Sequence, residues 1–251
     1  MKNILFLSFF IFSLNAQVSD LILQADNEAL KLFDNKKALA TLEAALKVEP
    51  NNAEILWRIS RAYVDIGEHL PSNNENQKEQ QLKYYQNSLS FANRAIANSS
   101  NNKILKSNSL TRRAISNGRV ALFKGIWESL DLVKNVKDDC LEAIKLDNQN
   151  EAAFYVLART HAKVCEKSKF IRIPLGLGWA NLDESIKYFK KAIELRPNFM
   201  MYRLDYARTL IETENFYEAK IQLLKIPTLP FEDEDDEKHK KESAELLKKI
   251  N

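Results

Sequence analysis

One fifteen-residue pattern occurs four times in this 251-residue chain, and it limits the folds that the chain can adopt. Each copy begins with a small or β-branched residue, has an apolar or small residue four positions later, and has an alanine three positions beyond that. The copies span residues 38–52, 88–102, 136–150 and 185–199. Residues spaced by four and three lie on one face of an α-helix, and small residues on that face let a second helix approach closely.

A proline or a polar residue follows each alanine after five positions and is expected to end the helix. A single helix of this kind cannot bury its apolar face alone, so the repetition predicts stacked helical hairpins. The positions predicted to pack between helices are Ala38, Ala45, Ala95, Ala143, Phe189, Ala192 and Ala219. We therefore expect an all-α solenoid of about five hairpins with a C-terminal capping helix.

The four copies resemble the second helix of a tetratricopeptide repeat, and the segments 53–67, 151–164 and 200–214 resemble the first helix. The first positions of the copies and of the last hairpin, at 38, 88, 136, 185 and 219, are 50, 48, 49 and 34 residues apart. Only the last step has the length of that repeat. The polar extra residues before Ser88 are expected to lengthen the second helix there.

This spacing, the apolar insertion before Ser185 and the acidic, then lysine-rich end of the chain resemble the regulator of microtubule dynamics family. The likeness covers about residues 80–250. It implies a non-catalytic binding protein. Eukaryotic members of the family associate with microtubules or organelle membranes, and some bind phospholipids.

The N-terminal residues 1–16 have the pattern of a secretory signal peptide, with Lys2, an apolar core from Ile4 to Leu14, and Ala16 before the expected cleavage point. The apolar run is short for a stable membrane span. The alternative is an apolar helix that is retained. With cleavage, we expect residues 17–251 to form a single domain in the periplasm or outside the cell.

Charge and motifs give no indication of catalysis. The net charge of +3 offers no general argument for binding nucleic acid. The three histidines are not accompanied by a metalloprotease, zinc, nucleophile or phosphate-loop motif, so we expect no enzyme, metal or cofactor. His161 is expected to be buried or half-buried in the core. Cys140 and Cys165 are either two buried thiols or, in an exported protein, a disulfide.

The first helices of stacked hairpins line a concave groove. By the tetratricopeptide resemblance, the groove-facing residues are Trp57, Arg61, Tyr155, Arg159, Leu204 and Arg208. The three arginines share one repeat position, and each has an aromatic or aliphatic residue one turn before it. Such a pair suits a carboxylate or phosphate attached to an apolar group. The alternative is that the arginines pair with acids of the chain: Glu54, Asp65, Asp205 or Glu212.

An apolar insertion separates the two helices of the fourth hairpin, where a few polar residues would suffice for a turn. Its apolar residues, which we call the insertion patch, are Phe170, Ile171, Ile173, Leu175, Leu177 and Trp179. They either fold back onto the solenoid or present a surface to a partner or a lipid.

Two functions follow from these features. The first is a non-catalytic scaffold whose groove binds a protein or peptide. The alternative is a phospholipid-binding domain that uses the arginines and the insertion patch.

Overall fold

The computed structural model describes the backbone of residues 2–250 and the side chains of residues 16–125 and 127–250. Across this part of the chain the backbone forms helices and turns and no strand, which confirms the predicted all-α class. The helices are α1 (Lys2–Leu30), α2 (Asn35–Val48), α3 (Ala53–Glu68), α4 (Glu75–Asn98), α5 (Lys103–Lys124), α6 (Leu130–Leu146), α7 (Glu151–Cys165), α8 (Lys169–Arg172), α9 (Leu182–Leu195), α10 (Met200–Glu212), α11 (Phe216–Lys225) and α12 (Asp236–Lys249).

The chain divides into two compact units, residues 1–120 and 121–251. The prediction of a single domain over residues 17–251 stays a prediction. The signal-peptide residues up to position 15 lie outside the described side chains, so cleavage after Ala16 also stays a prediction. Over the residues searched, the structure has no helix that is both long and apolar enough to cross a membrane.

In the first unit, consecutive helices pack as pairs, α1 with α2 and α3 with α4. The three alanines predicted to lie between helices in this unit are fully buried: Ala38, Ala45 and Ala95. Asn52 begins α3, because its side-chain oxygen accepts hydrogen bonds from the backbone N–H groups of Glu54 and Ile55. The polar residues before Ser88 do lengthen α4, which begins at Glu75.

Buried serines join three helices of the first unit. Ser88 Oγ on α4 donates to the backbone oxygen of Ser60 on α3 at 2.8 Å, and it lies 2.6 Å from Ser116 Oγ on α5. All three residues are fully buried. In the second unit, Ser185 Oγ donates in the same way to the backbone oxygen of Ala158 at 2.8 Å.

In the second unit, α7 packs against α6 and α9, and α10 packs against α9 and α11. The predicted packing residues Ala143, Phe189, Ala192 and Ala219 are at most 1% exposed. Helix α12 contacts α10 and α11 and closes this end of the unit, as expected for a capping helix. Cys140 is buried and Cys165 half-buried, and both are free thiols.

Most of the acidic run at residues 232–237 precedes the closing helix, because α12 begins only at Asp236. Asp236 itself is fully buried. Its Oδ2 accepts from the backbone N–H groups of Glu232 and Asp233 at 2.7 and 2.9 Å, and its Oδ1 lies 3.3 Å from His239 Nδ1. The run therefore forms a hydrogen-bonded turn that leads into the helix.

Close packing at the alanines predicts that enlarging them destabilises the second unit. Ala143→Leu and Ala192→Leu should each lower the free energy of unfolding by about 1–3 kcal/mol, because both alanines are 0% exposed and the added atoms would overpack the contact. Denaturant unfolding measures this. Ala244→Leu, at an exposed position of α12, is the control and should be close to neutral. Unchanged unfolding midpoints for both core variants would contradict the packing described here.

Candidate functional site

A buried carboxylate in the second unit brings together three of the six predicted groove residues. We call this group the Asp205 cluster; it consists of Tyr155 and Arg159 from α7, Asp205 and Arg208 from α10, and Glu242 from α12. Tyr155 Oη donates to Asp205 Oδ2 at 2.6 Å, and Arg159 Nε lies 3.0 Å from the same oxygen. Arg208 donates to both Asp205 and Glu242. One acid thus holds two neighbouring first helices, and a second acid adds the capping helix.

The protonation of Asp205 depends on these partners. Its side chain is 7% exposed, and burial alone would raise its pKa. Arg159, Arg208 and the Tyr155 hydroxyl outweigh burial, so that the pKa lies below the ordinary value. Asp205 is therefore a carboxylate at neutral pH, and the arginines are its counter-charges, as one of the two interpretations of the sequence had it.

Leu204 is not a groove residue, and its prediction was wrong. It is 1% exposed and packs in the core with Met200, Ala207 and Leu223. The repeat position transferred from the family therefore fails at Leu204, although it holds one turn later at Arg208. Asp205, the next residue, occupies the place between the two arginines.

A second group of arginines surrounds Trp57 in the first unit. The Trp57 cluster consists of Asp26 on α1, Glu54, Trp57, Arg58 and Arg61 on α3, and Arg112 on α5. The guanidinium carbons of Arg58, Arg61 and Arg112 lie 4.2, 5.6 and 5.7 Å from the Trp57 ring centroid. These distances are within the range of cation–π contacts.

Two carboxylates neutralise part of the charge in the Trp57 cluster. Asp26 accepts two hydrogen bonds from Arg58 Nε, at 2.9 and 3.0 Å, and one from Arg61 at 3.1 Å. Glu54 accepts from Arg58 at 2.6 Å and from the Trp57 ring N–H at 2.8 Å. Burial would lower the pKa of Arg58, but Asp26 and Glu54 raise it above its ordinary value. Arg61 is 8% exposed, so most of its side chain is buried within this cluster.

Sequence reasoning missed three members of this cluster, Asp26, Arg58 and Arg112. Arg58 follows Trp57 directly and was passed over because the repeat position selected Arg61. Arg112 lies in α5, the first helix of the unit whose pattern is weakest. The sequence 110–114, in which two arginines stand between apolar residues, was the available signal.

The insertion patch divides into two halves. One half folds back onto its unit and the other is exposed, so each of the two interpretations of the sequence describes one half. Leu177 is fully buried, and Leu175 and Trp179 pack with it against Val133 and Val164. The other three residues are exposed: Phe170 by 90%, Ile171 by 49% and Ile173 by 56%.

His161 is buried, as expected, and supports the folded-back half of the insertion. Its Nδ1 accepts a hydrogen bond from the backbone N–H of Asn181 at 3.1 Å, and its ring meets Trp179 edge-on at 5.0 Å. Burial lowers the pKa of His161 below its ordinary value, and Nδ1 can accept from Asn181 only while it is unprotonated. The imidazole is thus a neutral core group at pH 7.

Comparison with solved structures defines the class of protein. A thermophilic TPR protein from Thermus thermophilus matches with a TM-score of 0.65 at 14% sequence identity, over 92% of this chain and 98% of that one. PilF of Pseudomonas aeruginosa matches with a TM-score of 0.55 at 13% identity, over 94% of this chain and 86% of that one. The fold is therefore a tetratricopeptide-like α-solenoid, as predicted.

Sequence comparison then gives the family. The model of the family Regulator of microtubule dynamics protein 1-3 matches residues 21–251. Regulator of microtubule dynamics protein 1 of Mus musculus is 24% identical over 241 residues, 92% of this chain and 74% of the mouse protein. The protein of the same name from Bos taurus is 24% identical over 80% of this chain and 62% of its own length. The chain belongs to the regulator of microtubule dynamics family.

The Asp205 cluster predicts how stability responds to pH. The pKa of Asp205 is lower in the folded protein than in the unfolded chain. Its contribution to the free energy of unfolding is therefore complete above the unfolded pKa, and it is lost as the pH falls through the folded pKa. Arg159→Gln with Arg208→Gln should raise the folded pKa of Asp205, so that less stability is lost as the pH falls. At neutral pH the double variant should lose about 1.5–3 kcal/mol of unfolding free energy.

The expected loss is kept modest because both arginine side chains are 39% exposed, and water can hydrate the groups that remain. Denaturant unfolding at several pH values measures the effect. Lys187→Gln, which removes an exposed ion pair with Glu184, is the control and should change little. Identical pH profiles of the double variant and the control would show that the two arginines do not hold Asp205 ionised.

Proposed function

We propose that this protein is a non-catalytic scaffold that binds an acidic segment of a partner polypeptide at the Trp57 cluster. The observation that carries the proposal is the gathering of cations around an aromatic ring. Three guanidinium groups lie within 5.7 Å of the Trp57 ring centroid, whereas the cluster contains two carboxylates, Asp26 and Glu54.

The Asp205 cluster is the weaker candidate for binding an anion. Its two arginines meet two acids, Asp205 and Glu242, so its charges balance within the group. A ligand carboxylate would have to displace an internal one and leave Asp205 buried without its partners. The Trp57 cluster has three arginines and two carboxylates among its six members, and its arginines also contact the ring of Trp57.

The chemistry of the cluster suits a peptide. Trp57 is half-buried and offers part of its ring as an apolar contact surface, which a side chain of a bound segment can cover. Arg112 stands on a different helix from Arg58 and Arg61, so a carboxylate there would join α3 and α5. The tetratricopeptide-like fold supports a role in protein interaction, and the arginines and the ring of the cluster support an acidic segment as the ligand.

Peptide selection tests this function. A phage-displayed library of random peptides selected on the full chain should yield sequences enriched in Asp and Glu. Arg112→Gln should weaken the selected peptide by about 1.5–3 kcal/mol, which is the range for a charged hydrogen bond, as measured by fluorescence anisotropy. Tryptophan emission should respond to the peptide and should lose part of that response in Trp57→Phe.

Arg113→Gln is the matched control, because Arg113 is the next residue of α5 and its Nη1 lies 3.5 Å from Asn93 rather than at Trp57. It should bind the peptide like the unchanged protein. Selected peptides without acidic residues, or equal affinities for the Arg112 and Arg113 variants, would refute the proposed site.

We also propose that the chain is exported, with cleavage after Ala16, so that its partner is an envelope or secreted protein. The pattern of residues 1–16 supports this. N-terminal sequencing of protein from its own host should find Gln17 first. Intact Met1 on a cytosolic pool would contradict export and would leave the binding proposal unaffected.

Phospholipid binding is the second candidate function. The exposed half of the insertion patch favours it, because Phe170, Ile171 and Ile173 are 90%, 49% and 56% exposed. Native mass spectrometry of protein purified from its host separates the two candidates. A lipid held in stoichiometric amount supports this function, and a stoichiometric polypeptide supports the scaffold.

A further inference from the structure

Helix α11 is apolar on two opposite sides. On its inner side, Ala219 and Leu223 are fully buried in the second unit. On its outer side, Tyr217, Ile221 and Leu224 are 80%, 44% and 61% exposed, and we call these three residues the α11 stripe. Residues spaced by four and three share one side of a helix, and a helix that is apolar all round is normally covered all round. The capping helix α12 contacts α11 but leaves the stripe exposed.

The stripe belongs to α11 and not to the repeat. Its residues stand two positions before, two after and five after the first position of the repeat pattern, Ala219. In α4 and α6 the equivalent residues are polar except for Leu141. In α2 and α9 they are Lys36, Ala40, Glu43, Asp183, Lys187 and Lys190. Three large apolar residues thus replace a solvated face in the last hairpin, which is typical of an interaction surface.

Charged residues flank the stripe. The stripe occupies the a and d positions of a heptad, so that Glu218 and Lys225 both fall at e on one flank and Lys220 falls at g on the other. Glu218 Oε1 accepts from Gln222 at 2.7 Å, and its second oxygen can accept from a further donor. Glu218 and Lys225 are about 10 Å apart along the helix axis and cannot pair within one copy. One flank of α11 therefore carries an acid and a base that can each pair with another molecule.

We propose that the protein forms a symmetric dimer in which α11 packs antiparallel against α11 of a second copy. The two-fold axis passes beside Ile221, so that Glu218 of each copy faces Lys225 of the other and two ion pairs form on one flank. In this register, Leu224 of one copy lies level with the gap between Tyr217 and Ile221 of the other. The register that pairs the charges thus also interlocks the stripes. The dimer goes beyond the scaffold function and does not depend on the Trp57 cluster.

Charge selects the antiparallel arrangement. In a parallel pair each flank faces the opposite flank of the other copy, so Lys220 would meet Lys225 and like charges would oppose association. In an antiparallel pair each flank faces itself, which joins Glu218 to Lys225. The cost is that the two copies of Lys220 lie about 4–5 Å apart along the axis on the other flank.

The size of the stripe makes the dimer weak. Three side chains on a ten-residue helix cover less than the standard area of about 800 Å² per partner. We therefore expect reversible association that depends on concentration, with neither copy needing the other in order to fold.

Sedimentation equilibrium of the full chain, from low micromolar to about 1 mM, measures the association. The unchanged protein should show a monomer–dimer equilibrium. Tyr217→Ser with Leu224→Ser should raise the dissociation constant at least about tenfold, because less apolar surface leaves water on association. Phe170→Ser with Ile173→Ser is the matched control, since it removes exposed apolar side chains elsewhere in the same unit, and it should dimerise like the unchanged protein.

Charge reversal tests the register. Glu218→Lys should weaken the dimer, because it places two lysines opposite each other on both sides of the two-fold axis. Glu218→Lys with Lys225→Glu should restore association, because each copy again presents one acid and one base. Lys220→Gln should tighten the dimer, because it removes the like-charge contact on the other flank.

Disulfide trapping tests the direction of the helices. For antiparallel helices with axes about 9 Å apart, the two Cα atoms of residue 221 are about 5–6 Å apart, whereas those of residue 224 are about 9 Å apart. A disulfide requires Cα atoms within about 7 Å. In a Cys165→Ser background, which removes the half-buried native thiol, Ile221→Cys should give a covalent dimer under mild oxidation and Leu224→Cys should not.

Three results would overturn the proposal. These are a monomer at every concentration, equal dissociation constants for the Tyr217 and Phe170 double variants, and equal trapping of the two cysteine variants, which a parallel pair would give. Arg112→Gln should dimerise normally, so failure of peptide binding and failure of dimerisation are distinguishable. Circular dichroism should show unchanged helix content in the stripe variants, because the substituted side chains are exposed.

Discussion

Contact between helices at small side chains is the constraint on which the rest of this protein depends. Alanine at positions such as 45, 95, 143 and 192 is 0% exposed, which means that the neighbouring helix lies directly against the backbone there. Such contacts fix which face of each second helix turns inward. They thereby also determine which side chains of the first helices remain outside the core and can carry function.

The two arginine clusters show how the same repeat position serves different purposes in the two units. In the second unit, Asp205 pairs with both arginines, and these contacts join α7 to α10. In the first unit, the arginines lie around the ring of Trp57, and Asp26 and Glu54 pair with Arg58 and Arg61. Arginine suits both places because its planar fork can bind a carboxylate and stack on an aromatic face at once.

The sequence was most informative where the structure is most repetitive. The buried positions of the second helices, from Ala38 to Ala219, could be predicted because each copy faces the same packing problem. For Arg159 and Arg208, sequence reasoning offered Asp205 as one of four possible acidic partners, and the structure selects it. The alternative of a ligand there could not be excluded from sequence, because the burial of Asp205 depends on how α7 packs against α10.

Features that depend on how one side chain packs, or on a contact between distant segments, could not be predicted. Leu204 was assigned to the groove by its repeat position, but it packs in the core. Arg112 was missed because the first helix of its hairpin lacks a clear repeat pattern. The insertion patch divides between core and solvent at Ile173, where the bonds of Arg172 to Ala180 and Leu177 redirect the chain. The residues on the two sides of Ile173 are similarly apolar, so hydropathy alone does not predict which of them are buried.

The buried serines impose a requirement that the alanines do not. An alanine contact depends on shape alone and rejects side chains that are too large. A buried hydroxyl also needs a partner, and one left without it costs about 1–3 kcal/mol. If α4 slid along α3 by one turn, Ser88 would lose its bond to the Ser60 carbonyl, and Ser185 would lose its bond to Ala158 after the same slip in the second unit. The alanines thus exclude bulk, and the serines exclude misalignment.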